Sequence, residues 1–175
     1  MTCAAASVRI ETPRLILRTV TRADLDDVAE SWDLDGGPIS REEARRRIAW
    51  MLDNHARLAA GTLRHLCLAI VDRESRGIIG WCGLDHRDPA RPHPLLFYLL
   101  KAPYWGQGLA TEAAAAVLDY AFRDLRLAQV DAATAFDNLA SKRVMEKIGM
   151  TYLGLDEDGG HAFTINHQDY VLPRK

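Results

Sequence analysis

YWGQGLATEA, residues 104–113, joins the strongly apolar run LLFYLL, residues 95–100, to an alanine-rich helical pattern that extends from Leu109 to about Phe122. Pro103 ends the apolar run. The order predicts a strand, a tight glycine turn and a helix. Gly106 and Gly108 lack a Cβ, so the amides that open the helix can close around an anion, and the positive end of the helix dipole favours one there. The expected anion is a phosphate.

Upstream of this unit, residues 14–20 (RLILRTV) read as a strand, and Thr21 followed by Asp24 offers a variant of the capping box for a helix reaching about Trp32. The stretch 33–38 breaks that helix, and Ser40 with Glu43 starts another that ends near Gly61. Residues 64–71 and 77–84 are two β-type runs around a polar turn, which predicts a hairpin. Downstream, residues 128–135 read as a strand, and 138–148 as a helix with Ala140, Val144, Met145 and Ile148 on its apolar face and Gly149 as its stop. Residues 150–155 and 161–172 close the chain as a second hairpin. The expected fold is one α/β (α+β) domain over residues 1–175, with a central, mixed, mostly antiparallel sheet of about seven strands flanked by about four helices. Residues 1–10 are expected to be a poorly ordered extension.

A length of 175 residues suits one domain, and a formal net charge of -2 gives no basic footprint for nucleic acid or a membrane surface. No segment reads as a leader or a membrane span, so the expectation is a cytoplasmic protein. Cys3, Cys67 and Cys82 are odd in number and unpatterned, and the six histidines lack ligand spacing, so neither disulfides nor a metal are expected.

With this element order, the glycine turn, ETPRLILR (residues 11–18), Asn138-Leu139-Ala140-Ser141 and the helix end at residues 146–150, the chain resembles the GNAT-family acetyltransferases. It is most similar to the branch of ribosomal-protein N-terminal acetyltransferases named RimJ and RimL. The general glycine motif of that family is matched at Gly108 and Ala110, while Trp105 stands in the Gln/Arg place, a form associated with this branch. The resemblance implies acetyl-CoA as co-substrate and a primary amine as acceptor, a protein or peptide N-terminus in the first instance. It places the pyrophosphate on Trp105, Gly106, Gln107, Gly108, Leu109, Ala110 and Thr111, with backbone amides at Leu99 and Leu100 polarising the thioester carbonyl. Asn138 matches the pantetheine-facing Asn, a position that N-capping of the helix also explains. Ser141 matches the branch's Asn-x-x-Ser pattern and is the candidate hydroxyl near the CoA sulfur.

Two positions depart from the family. Met145 stands where many members carry a Tyr that protonates the thiolate, and Leu95 where relatives often carry a Glu. Asp85, His86 or Asp131 are the candidates to take the amine proton, directly or through water. An α-amine, with a pKa of roughly 8 against about 10.4 for lysine, needs little help from a base. Tyr98, Asp33 and Asp35 are the candidate acceptor contacts, the two carboxylates favouring a cationic acceptor. Acetylation of a small amine or aminoglycoside, and a CoA-binding regulator without turnover, remain open alternatives, as does pairing with a second copy of the chain. A dinucleotide oxidoreductase is suggested by the near GxGxxG of residues 106–111 with Asp131 beyond it. Thr111 in place of the last glycine, and too little chain for a doubly wound sheet, speak against it.

Overall fold

The apolar hexapeptide that leads into the glycine turn is β5 (Leu95–Leu100), and its alternating side chains feed two separate cores. Leu96, Tyr98 and Leu100 pack on the side of α3 (Leu109–Arg123), whereas Phe97 and Leu99 pack on the side of α1 (Leu25–Ser31) and α2 (Arg41–Ala59). A sheet buried on both faces needs apolar residues on both, and β3 (His65–Asp72) and β4 (Ile78–Asp85) meet that need with seven consecutive buried residues each. The remaining elements are β1 (Arg9–Glu11), β2 (Leu15–Arg18), β6 (Gln129–Thr134), α4 (Leu139–Lys147), β7 (Thr151–Leu155) and β8 (His161–Asn166). These assignments come from a computed structural model that describes residues 7–31, 38–59 and 62–170.

The eight strands form one sheet in the order β1-β2-β3-β4-β5-β6-β8-β7, antiparallel throughout except for the parallel pair β5 and β6. The expected architecture is met, with one strand more than the sequence indicated. The extra strand is β1, whose Arg9, Ile10 and Glu11 pair with Arg18, Leu17 and Ile16. It corrects the expectation of a loose extension for residues 7–10, residues 1–6 lying outside the described residues: three residues are too short for an alternation to show, yet β2 offers them a free edge. Val8 is held as well, its N–H donating to Thr19 Oγ1 at 2.9 Å.

The helices start where their caps predict. Thr21 N–H donates to Asp24 Oδ2 at 2.6 Å, although the first turn there is 3-10 before α1 begins, and Glu43 N–H donates to Ser40 Oγ at 3.1 Å. On α3, Ala113, Ala114 and Ala121 are fully buried, and these small side chains let the helix lie close on β4 and β5. A larger residue at Ala113 would lift the helix from the sheet. The face expected for α4 is partly corrected: Met145 and Ile148 are buried, but Ala140 is exposed. Among the described residues, no helix is long and apolar enough to cross a membrane.

The parallel pair is the exceptional place in the sheet. β5 and β6 pair only at Leu95 and Asp131, where Asp131 N–H donates to the Pro94 carbonyl at 3.0 Å. Beyond that point the strands part. Lys101 N–H donates to the Ile79 carbonyl at 2.8 Å, so alternate residues of β5, Leu99 among them, turn their backbone groups to β4, and Tyr98 and Leu100 turn theirs to the gap.

Candidate active site

The glycine turn forms because both glycines take a left-handed conformation, Gly106 at φ 74° and Gly108 at φ 77°. A Cβ built on Gly106 would meet nothing within 4 Å, so the space beside it is open. Trp105 folds back and donates from Nε1 to the Leu100 carbonyl at 2.7 Å, which closes the turn on the end of β5. Helix α3 then begins at Leu109 with first-turn amides that have no intrahelical acceptor. A distant segment holds this start in place. Glu112 accepts from Thr12 Oγ1 at 2.6 Å and from Arg14 N–H at 2.9 Å, while Arg14 also donates from Nε to Glu112 Oε2 at 2.6 Å and from Nη1 to the Gln107 carbonyl at 2.9 Å. Burial would raise the Glu112 pKa, but these donors hold it below the usual carboxylate value.

A cleft of about 430 Å³ opens over this turn, between β5, the start of α3 and α4. Of the residues expected to bind the cofactor, Leu99, Leu100, Trp105, Gly106, Gly108, Leu109, Ala110, Thr111, Asn138 and Ser141 all border it. Gln107 does not: its side chain donates to the Pro103 carbonyl at 2.9 Å and its own carbonyl serves Arg14. Leu99 borders the cleft but does not turn its amide to it, because its backbone belongs to the β4 ladder; a Cβ on Gly80 would lie 2.0 Å from the Leu99 carbonyl oxygen. Leu100 keeps an amide facing the gap. Asn138 both caps α4, accepting from Ser141 N–H at 3.0 Å, and borders the cleft.

Tyr98 was expected on the acceptor side and instead borders this cleft, because even-numbered residues of β5 face α3. Its hydroxyl donates to the Ser141 carbonyl at 3.1 Å, which ties α4 to the sheet, and burial pushes its pKa up. Sequence reasoning missed Arg143 and Lys147. They share one stripe of α4 with Ala140 and Val144, at i, i+3, i+4 and i+7, and all four border the cleft. That stripe was available as a helical period but was read only for its apolar members.

A second cavity, about 730 Å³, opens on the opposite face of the sheet. Glu43, Arg46, Arg47 and Trp50 of α2 form one wall; His65, Cys67, Trp81, Asp85, Leu95, Phe97, Leu99 and Ala133 of the strands form the floor, with Arg87 at the edge. Leu99, on the strand that parts from β6, borders both cavities, one on each face of the sheet. Asp85 accepts from Arg87 Nε at 2.8 Å and from its Nη2, and although burial would raise its pKa, Arg87 holds it down to about 2. His65 is wedged between Trp50, 4.6 Å away, and Phe97, 5.3 Å away, and burial presses its pKa down to about 4 against the pull of Asp85.

Two expected proton acceptors are not brought to either cavity. His86 lies in the loop after β4 with Nε2 at 3.2 Å from the Arg91 carbonyl, and Asp131 accepts from Gln129 Nε2 at 2.8 Å and Thr164 Oγ1 at 2.6 Å. Asp85, the third, borders the second cavity. Met145 is buried under α4 and offers no hydroxyl substitute. Asp33 and Asp35 lie outside the described residues.

The acetyltransferase (GNAT) domain profile matches residues 14–151. The chain belongs to the GNAT acetyltransferase family. Within that family it is similar to the uncharacterized N-acetyltransferase YoaA of Bacillus subtilis, 26% identical over 95% of this chain and 98% of the relative. It is also similar to the uncharacterized N-acetyltransferase p20 of Bacillus licheniformis, 26% identical over 84% of each chain. An acetyltransferase structure from Agrobacterium tumefaciens superposes at a TM-score of 0.69 with 28% identity, covering 95% of this chain and 97% of that one. The ribosomal-protein-S5-alanine acetyltransferase of Vibrio fischeri shares the fold at a TM-score of 0.74 and 17% identity, over 94% and 99% of the two chains. This GNAT domain is therefore an acyltransferase, of a family that takes acetyl-CoA as co-substrate and an amine as acceptor.

Proposed function

We propose that this GNAT domain transfers the acetyl group of acetyl-CoA to a primary amine, and that the amine is a protein or peptide N-terminus, as in the RimJ and RimL branch. The observation that carries the reading is the parting of β5 from β6 with a cavity on either face, Leu99 bordering both, and the Leu100 amide turned into the gap. Donor and acceptor can thus approach from opposite faces of one sheet. The residues present fit acetyl-CoA: a glycine that leaves room beside unpaired helix amides for a pyrophosphate, and Arg143 and Lys147 alongside for further negative charge. When bound, acetyl-CoA supplies the activated acyl carbon.

The protein's share of the chemistry is then positional and electrostatic. The Leu100 N–H, with that of Tyr98 one pleat earlier, is a fixed donor for the negative charge that develops on a carbonyl oxygen in the gap. Ser141 contributes its hydroxyl to the donor cleft, where the Tyr98 bond to its carbonyl fixes α4. An α-amine is partly neutral near pH 7 without a strong base, which suits a site with neither the Glu nor the Tyr of many relatives. The RimJ/RimL form of the turn, with Trp105 locked on Leu100, supports the branch assignment.

The test is calorimetric titration with acetyl-CoA, followed by thiol release with peptides bearing free or blocked N-termini. Saturable acetyl-CoA binding and release that needs a free α-amine are expected. Turnover of a small polyamine or aminoglycoside in preference to every peptide would overturn the N-terminal assignment.

A further inference from the structure

The second cavity has a polar end and an apolar end. Cross-strand register sets His65 opposite Asp85 and Asp85 opposite Leu95, so this polar row lies at the start of β5, whereas Leu99, which borders both cavities, lies near its end. Four residues of strand separate them, about 13 Å. Between the two ends the wall is apolar, formed by Trp81, Phe97 and Ala133.

The charges at the polar end favour an anion. Arg46, Arg47 and Arg87 border the cavity against two carboxylates, Glu43 and Asp85, and each carboxylate already has a guanidinium partner. An entering cation would find no unanswered negative charge there. Arg87 binds Asp85 through Nε and Nη2 only, which leaves Nη1 outside that pair, and its guanidinium lies 5.5 Å above the Trp50 ring. The other notable group is His65. Its Nδ1 is sealed from solvent without a hydrogen bond, 3.5 Å from Asp85 Oδ1, so an occupant of the cavity can meet only the rest of the ring, Nε2 included.

We propose that the His65, Asp85 and Arg87 end of this cavity is a distal subsite for a carboxylate carried by the acceptor, lying along β5 from the place where the acceptor's amine reacts. The subsite rests on the reading of the second cavity as the acceptor side of the transferase. A carboxylate here takes the spare Arg87 donor and makes an imidazolium favourable: His65 gains a proton from solvent, Nδ1–H completes a bond to Asp85, and Nε2–H faces the newcomer. The empty site opposes that proton through burial and through Arg87, with His55 adding to the opposition and Asp85 working against it. Binding of the acceptor therefore takes up a proton. The spacing fits a peptide whose free amine reacts and whose acidic side chain sits two residues on.

The probes are the C-terminally amidated tripeptides Ser-Ala-Glu, Ser-Ala-Gln and Ser-Ala-Lys, compared by kcat/KM near pH 6.5. The Glu peptide is expected to lead the Gln peptide by about ten-fold or more, through KM, and the Lys peptide to trail both. Calorimetry in two buffers of different ionisation enthalpy should show proton uptake with the Glu peptide alone. In Arg87→Gln the Glu-to-Gln ratio should fall to about one. Equal kcat/KM values, a lead for the Lys peptide, or a Glu preference that survives in Arg87→Gln would each overturn the subsite. Acetyl-CoA binding measured alongside separates the two readings: a missing Glu preference with that binding intact sinks the subsite alone, and no acetyl-CoA binding sinks the transferase reading and the subsite with it.

Discussion

The two cavities are built from different materials. The donor cleft on the α3 face is made of backbone: a glycine turn, free first-turn amides and the unpaired Leu100 N–H, most of them within residues 98–111. The cavity on the α2 face is made of side chains, drawn from α2, β3, β4, β5, β6 and the loop at Arg87. A cofactor common to a whole family can be met by main-chain geometry that tolerates side-chain drift. An acceptor that differs from member to member has to be met by side chains. The comparison teaches where to look for constancy in this fold and where to look for specificity.

The largest effect should come from filling the backbone-built cleft. In Gly106→Trp the new side chain enters open space beside the turn, at a cost of about 1–2 kcal/mol for the left-handed backbone. Acetyl-CoA affinity should drop by about a thousand-fold, or about 4 kcal/mol, with thermal unfolding still cooperative. Calorimetry and a melting curve check this together. Retained affinity in a folded variant would mean that the cleft is not where the nucleotide lies.

On the side-chain face the sharpest signature is a pH dependence of stability. His65 has a folded pKa of about 4 against an ordinary value near 6.5, so the unfolded chain binds more protons between those values and stability falls as the pH drops through that window. The expected loss is about 3 kcal/mol by pH 4. Asp85 adds a smaller loss at lower pH, its stabilisation being complete above the ordinary carboxylate pKa and lost as the pH falls toward about 2. Urea unfolding from pH 7 to pH 4 should show the slope, and His65→Asn should flatten it. An unchanged slope in that variant would remove His65 from the account.

The smallest effect probes the charged side chains at the donor cleft. Replacing both Arg143 and Lys147 by alanine should weaken acetyl-CoA binding by about ten-fold at low salt and by less at high salt, because exposed charges are screened. Calorimetry at two salt concentrations reads this out. A thousand-fold loss would show that the cleft depends on side chains as heavily as its neighbour does and would dissolve the contrast.

That contrast also explains what was legible in advance. The strand, glycine turn and helix are contiguous, and their residues are dictated by local backbone demands, so residues 95–122 could be read almost as they fold. Caps at Thr21, Ser40 and Asn138 were legible for the same reason. His65 and Asp85 sit in runs that read as plain strand, and only the register across β3, β4 and β5 brings them into one row. Which side of the sheet a strand residue faces is likewise a global matter, and it moved Tyr98 from the expected acceptor side to the donor cleft. His86 and Asp131 had suitable chemistry, but neither borders either cavity: the ring of the one lies against a loop carbonyl, and the carboxylate of the other accepts from Gln129 and Thr164.

The tie between Glu112 and the segment at Thr12 and Arg14 spans about a hundred residues of chain. Closing a loop of that length costs more entropy than closing the hairpins that lie within it. During synthesis the turn and its helix leave the ribosome long after the segment that holds them, so the hold can form only once both have been made. The start of α3 is therefore held by a contact that a partly made chain lacks, and the glycine turn gains its support only from a chain complete from Thr12 to Glu112.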